Sequence, residues 1–158
     1  MIVHQVSSSG FGVEEVAPER MRAFIDALEG EVAKMDPVEV PVDHEFADGV
    51  YSRKILIPKD AVLTGRVHKQ NDLNIVIYGE MDVLTESGMK RIIGPAVFPG
   101  KAGVKQFGIA YADTLWVTVH HTHLTDLEEI DKELFEDGPG IYDFVTGKLK
   151  QETLPCQA

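Results

Sequence analysis

The sequence is short of everything that would make it a disulfide scaffold, a thiol enzyme or a membrane span. Its one cysteine, Cys156, sits near the C-terminus with no second thiol to pair with and no surrounding motif that would make it a nucleophile. No apolar run approaches the ~20 residues that a bilayer-spanning helix needs, so no membrane role is expected. The opening stretch "MIVHQVSSSGFG" lacks a basic region followed by an apolar segment, so no secretory signal is expected and the cytoplasm is the expected compartment. The GxxxxGK loop, GxSxG elbow, CxxC pair and HExxH helix are also missing, which removes several common phosphate-loop, hydrolase, thiol and metalloprotease chemistries. Positive charge is in deficit too: a formal net charge of -11 excludes a general nucleic-acid binder, which needs surplus Lys and Arg for phosphates.

The deficit is uneven. Between Arg53 and Lys105 nine basic residues face five acidic ones, so this middle carries +4 and the remainder -15. A basic middle between acidic flanks suits a local anion site, or contact between the middle and a flank of a neighbouring copy. Hydrophobic residues at 44% and charged residues at 26% are those of an ordinary globular chain. At 158 residues one domain is expected, burying roughly two thirds of the surface of its unfolded form.

The pattern divides that domain into an arm and helix over 1–43, a β-rich body over 44–123, and a helix with a packing tail over 124–158. "PERMRAFIDALEGEVAKM" reads as a helix opened by Pro18, with Met21, Phe24, Ile25, Leu28, Val32 and Met35 as one apolar stripe that must cover a sheet or a partner chain. Pro37 and Pro41 then impose an extended connection. Strands are predicted at "GVYSRKILI", "AVLTGRVH", "LNIVIY", "EMDVLTE", "MKRII", "AVFP", "VKQFGIAYA" and "LWVTVHH", with "TESGMK" as a hairpin turn in which Gly88 takes positive φ. "TDLEEIDKELFE" turns helical again, with Thr125 and Glu128 as a capping box and Leu127, Ile130 and Leu134 as its stripe. Tyr142, Phe144 and Val145 are expected to anchor the tail.

The segments "GRVHKQNDLNIVIYGEMDV" and "GPAVFPGKAGVKQF" resemble the two motifs of the cupin superfamily. That resemblance implies a mainly β fold, a small jelly-roll β-barrel, here with an N-terminal helix and a C-terminal helix plus tail. Aligned on Gly79, Arg66 stands where the first motif has a histidine, His68 matches the second histidine, Asp72 the acid, and Gln106 falls near the last histidine. Two of three expected histidines are replaced. The run from about Asp43 to Phe135, with "DGVYSRKILIP", "DTLWVTVH" and "TDLEEI" in order, is similar to small cupin-like proteins of tailed phages and prophages, whose members often carry Glu-His where this chain has Asn71 and Asp72. The resemblance implies a homo-oligomer, at least a dimer, in a host cytoplasm or a virion.

On a strand Arg66 and His68 share a face, which the motif alignment makes the barrel interior, joined by Asp72, Asn74, Val76 and Tyr78 and by Gln106, Thr118 and His120 from later strands. Lys101 and Lys105 flank Gly103 in a turn that could favour an anion. His68, Asp72 and His120 have the right chemistry for a divalent metal, but a guanidinium at Arg66 would repel one and suits a carboxylate or phosphate instead. Alternatively Arg66 pairs with Asp72 and His68 with Asn74, leaving no ligand role. His121 and His123 form at most a surface pair, His4 and His44 have no evident partners, and Trp116 and Tyr111 read as core or interface.

The expected function is a non-enzymatic, cofactor-free binding module for a small polar or anionic molecule, such as a host signalling nucleotide. The alternatives are a virion or assembly accessory protein that contacts other virion proteins, or a metal-dependent cupin enzyme using His68, Asp72 and His120.

Overall fold

A computed structural model describes residues 16–137, 143, 144, 146 and 148 of the chain. His4, Tyr142, Val145 and Cys156 lie outside the described residues. Among the described residues are two helices, α1 (Pro18–Val32) and α2 (Leu127–Leu134). Nine strands lie between them: β1 (Val42–Ala47), β2 (Val50–Ile57), β3 (Val62–Thr64), β4 (Asp72–Tyr78), β5 (Glu80–Thr85), β6 (Gly88–Ile93), β7 (Ala96–Gly100), β8 (Phe107–Ala110) and β9 (Thr114–His121). They form a five-stranded sheet in the order β1-β2-β9-β4-β7 and a four-stranded sheet in the order β3-β8-β5-β6. Every named pair is antiparallel. The core lies between the sheets, with Ile57, Val76 and Trp116 from one meeting Met81, Val83, Ile92 and Ala110 from the other. The fold is thus mainly β with flanking helices, as expected, its strands divided between the two facing sheets of a double-sheet jelly roll.

β1 is a strand that the sequence reading treated as part of the extended connection. It pairs along its whole length with β2, from Val42 opposite Ile55 to Ala47 opposite Val50. "AVLTGRVH" yields only the three residues of β3, after which the chain leaves the sheet and His68 makes a lone bridge to Phe135. The hairpin between β5 and β6 turns at Thr85 opposite Gly88, and Gly88 has φ +109°, the left-handed region that favours glycine.

Helix α1 starts with Pro at its first turn and ends at Val32, short of Met35. Its buried stripe is narrower than expected: Met21, Ile25, Leu28 and Val32 pack on Leu84, Phe107, Val62 and Ile109 of the four-stranded sheet, while Phe24 and Met35 are exposed. Helix α2 is capped by Asp126, one residue later than expected. Its carboxylate accepts from the amides of Glu128 and Glu129, 3.0 Å each, because Asp126 rather than Thr125 holds the extended conformation of a cap. Ile130 and Leu134 bury against Tyr51, Phe135 and Phe144.

Charge ties α1 down as well as apolar contact. Lys105 and Glu29 are both buried and ion-paired to one another, with Asp26 3.3 Å from the same ammonium and Thr64 Oγ1 donating to Glu29 at 3.0 Å. Lys105 is therefore a structural cation, not the ligand contact expected of it. Removing one partner leaves the other charge buried without compensation, so Lys105→Met should cost about 3–5 kcal/mol. In urea unfolding, Glu29→Leu combined with Lys105→Met should recover most of that loss.

Candidate functional site

Residues directly opposite in antiparallel strands share a face. The register of the five-stranded sheet therefore places His44, Arg53, Thr118, Asn74 and Phe98 in one inward row. One side of it is the row Val42, Ile55, Trp116, Val76 and Ala96. On the other side Tyr51 stands opposite His120 and Asp72 opposite Gly100. From these rows Arg53, Thr118, Asn74, Ile55, Trp116 and Asp72 join Leu63, Met81, Val83 and Gly108 of the facing sheet to line a cavity of about 190 Å³, with Tyr51 and His120 outside its lining.

A chain of hydrogen bonds fixes the polar wall. Trp116 Nε1 donates to Asn74 Oδ1 at 2.8 Å, Asn74 Nδ2 donates to Asp72 Oδ1 at 2.7 Å, and Asp72 Oδ2 bonds His68 Nδ1. Gly100 leaves room for this chain, since a Cβ there would overlap Asp72 and lie 2.6 Å from Asn74 Nδ2. The ring of His68 packs edge-on against Phe135, centroids 4.8 Å apart, and lies 5.3 Å from the ring of His120. One potential ligand atom from each of His68, Asp72 and His120 falls within 4.8 Å of the others. His120 Nε2 is buried and has no hydrogen-bond partner. This donor set, two imidazoles and one carboxylate, fits a divalent transition metal.

Arg66 does line the cavity, but its charge is engaged. One terminal nitrogen pairs with Asp131 of α2, the other donates to the Glu136 carbonyl at 2.9 Å, and the guanidinium lies over Phe135 at 5.0 Å. Neither pairing of the alternative expectation forms: Arg66 does not meet Asp72, and His68 bonds Asp72 rather than Asn74.

Arg53, which the sequence reading did not single out, also lines the cavity and forms no ion pair among the described residues. Its Nε is buried without a hydrogen-bond partner, and among the described residues no carboxylate lies within ion-pairing distance. Its contacts are the Phe144 ring, 5.2 Å from the guanidinium carbon, and its place in the cavity wall. Burial pulls its pKa down and Arg66 adds to that, while Tyr51 and the Asp131 carboxylate oppose it. The signal was present in "YSRKILI", where Tyr51, Arg53, Ile55 and Ile57 alternate on the core face and force the arginine inward.

Of the other expected site residues, Gln106 and Thr118 line the cavity, and Lys101 does so from an exposed position. Tyr78 does not: it is 47% exposed, because the register slips between Val76 and Tyr78 and the bulge turns its side chain outward. His121 and His123 are exposed with ring centroids 5.3 Å apart, and His44 Nδ1 meets the Tyr51 hydroxyl at 2.8 Å. Trp116 is core, and Tyr111 is a surface residue under Arg91, its hydroxyl donating to Asp82 at 3.0 Å.

His120 gives the site a pH signature. Burial first, then His68, push its pKa from 6.5 down to about 4, with Asp72 opposing and Arg53 reinforcing the shift. The fold holds His120 neutral where the unfolded chain takes up a proton. Its contribution is complete above pH 6.5 and is lost as pH falls from 6.5 to about 4, on the order of 3 kcal/mol. Urea unfolding of chelator-treated protein should show that slope, and His120→Gln should flatten it.

No protein-family model matches the sequence, and no curated protein matches it. Among solved structures, ectoine synthase from P. lautus aligns with TM-score 0.52 and 16% identity over 63% of this chain and 76% of that one. KdgF from Halomonas sp. aligns with TM-score 0.47 and 14% identity over 58% and 86%. The cupin domain of an XRE family transcriptional regulator from Enterobacter cloacae aligns with TM-score 0.46 and 11% identity over 54% and 98%. At these identities the likeness is one of fold alone, shared with ectoine synthase from P. lautus.

Proposed function

We propose that this protein is a cupin-fold binding module of the phage type, which takes a small organic anion into its cavity. Arg53 carries the reading. Its Nε is buried without a hydrogen-bond partner and no carboxylate among the described residues pairs with it, so a carboxylate or phosphate in the cavity would supply both an acceptor and a counter-charge. The volume of about 190 Å³ suits a small metabolite better than the host nucleotide expected from sequence, since pockets for drug-sized ligands span about 300–1,000 Å³.

A second reading has its own observation. The cluster of His68, Asp72 and His120 could hold a divalent ion, which would supply Lewis-acid chemistry and make the module an enzyme. Asn74 would orient Asp72 for that role, and Phe135 would hold the His68 ring. Arg66 no longer argues against it, because Asp131 compensates its charge.

Self-association is also proposed. Leu73, Ile77 and Val97 are exposed on β4 and the edge strand β7, an apolar surface suited to contact with a second copy.

Two measurements test these readings. Calorimetry with acetate, benzoate, succinate and inorganic phosphate should find at least one binder, and Arg53→Met should weaken the tightest at least tenfold, as expected for a lost charge-assisted contact. The same substitution should raise the melting temperature of the empty protein, because it removes a buried donor that has no partner. Equal binding by the variant would overturn the anion reading. Native mass spectrometry should give a dimer or larger assembly, and one transition metal per chain would place the second reading first; a monomer would remove self-association.

A further inference from the structure

The cavity wall changes character along the strands. On β2, Arg53 is followed inward by Ile55 and Ile57. On β9, Thr118 gives way to Trp116, whose indole N–H is already committed to Asn74. The facing sheet contributes Leu63, Met81 and Val83. Below the row of Arg53, then, the described side chains offer hydrocarbon, a thioether and an indole, with no unsatisfied polar group among them.

Such a floor holds water poorly, because a buried water needs about 2–4 polar partners. Filling it with hydrocarbon removes apolar surface from water and restores the packing that a void forfeits. The volume is informative as well. An apolar cavity of about 150 Å³ is large enough for benzene, and this one of about 190 Å³ adds space for a charged head beside Arg53.

We propose that the ligand is an amphiphilic anion, a small aromatic or branched aliphatic carboxylate, with its head against Arg53 and its body on the floor formed by Ile55, Met81, Val83 and Trp116. This deepens the anion reading and rests on it. A compact, fully hydrated anion such as phosphate would meet Arg53 yet leave the floor empty, so polarity selects the head and the floor selects the tail.

Calorimetry on the intact, metal-free protein with acetate, benzoate, benzyl alcohol and inorganic phosphate tests the assignment. Benzoate should bind at least fivefold more tightly than acetate and than phosphate, and benzyl alcohol, which has the same ring without the charge, at least fivefold more weakly than benzoate. A benzoate-to-acetate ratio below fivefold, or phosphate as the tightest of the four, would overturn the amphiphile and leave the anion reading standing. Binding of benzyl alcohol as tight as benzoate, or binding of no anion at all, would remove both. Ile55→Phe narrows the floor and keeps a strand-compatible side chain, so it should pull the benzoate-to-acetate ratio toward one. An unchanged ratio in the folded variant would overturn the placement of the tail.

Discussion

The amide of Asn74 is the point through which the parts of the cavity wall hold one another. Its oxygen takes the indole proton of Trp116 from β9, and its nitrogen donates to Asp72 on its own strand, which in turn bonds His68 on the incoming loop. Each contact fixes the next: the indole decides which end of the amide is oxygen, that decides which end donates, and the donated bond sets the carboxylate that orients the imidazole. Asn74 is itself buried, so an aliphatic residue there would strand two polar groups away from water. A core tryptophan, one of the four residues of the apolar floor, is thereby coupled to the polar residues of the cavity wall.

Charge is arranged by the same economy. The basic middle of the sequence meets its acidic flanks within one chain through Lys105 with Glu29 of α1 and Arg66 with Asp131 of α2, and Arg22 of α1 pairs in the opposite sense with Glu86 of the middle at 2.6 Å. The helices are thus docked by ion pairs as well as by apolar stripes, and no second copy is required to match these charges. Arg53 stands outside this arrangement. It is held by the Phe144 ring and by the more distant Asp131 carboxylate rather than by an ion pair.

Much of this was legible in the sequence, and the failures have identifiable causes. The strands of the body followed from β-branched runs broken by Gly and Pro, and Gly88 marked its hairpin. β1 escaped because "PVDHEF" is polar on one face and flanked by proline, although Val42, His44 and Phe46 do alternate. Tyr78 was assigned to the interior by counting in twos from Asn74 and Val76, a count that a bulge resets and that residue identity does not betray. Arg66 was given the free charge because its partner, Asp131, lies 65 residues away on a helix, beyond what local pattern can relate. Arg53 had the clearest local signal and was passed over, since a lone arginine in a strand reads first as a solvent-facing residue.

These corrections change how a metal and an organic anion relate to one another. With Arg66 taken as a bare cation, the two occupants compete. The structure instead pairs Asp131 with Arg66, while Arg53 feels the same carboxylate without pairing with it. Asp72 is engaged by His68 and Asn74. A divalent ion on His68, Asp72 and His120 would bring two more positive charges against one carboxylate in a poorly screened space, where like charges interact strongly. The demand for an anionic ligand would then rise, and its head would lie between metal and guanidinium. An anion is therefore common to both proposed readings: it would meet Arg53 with the histidines empty, and would be favoured more strongly with them filled.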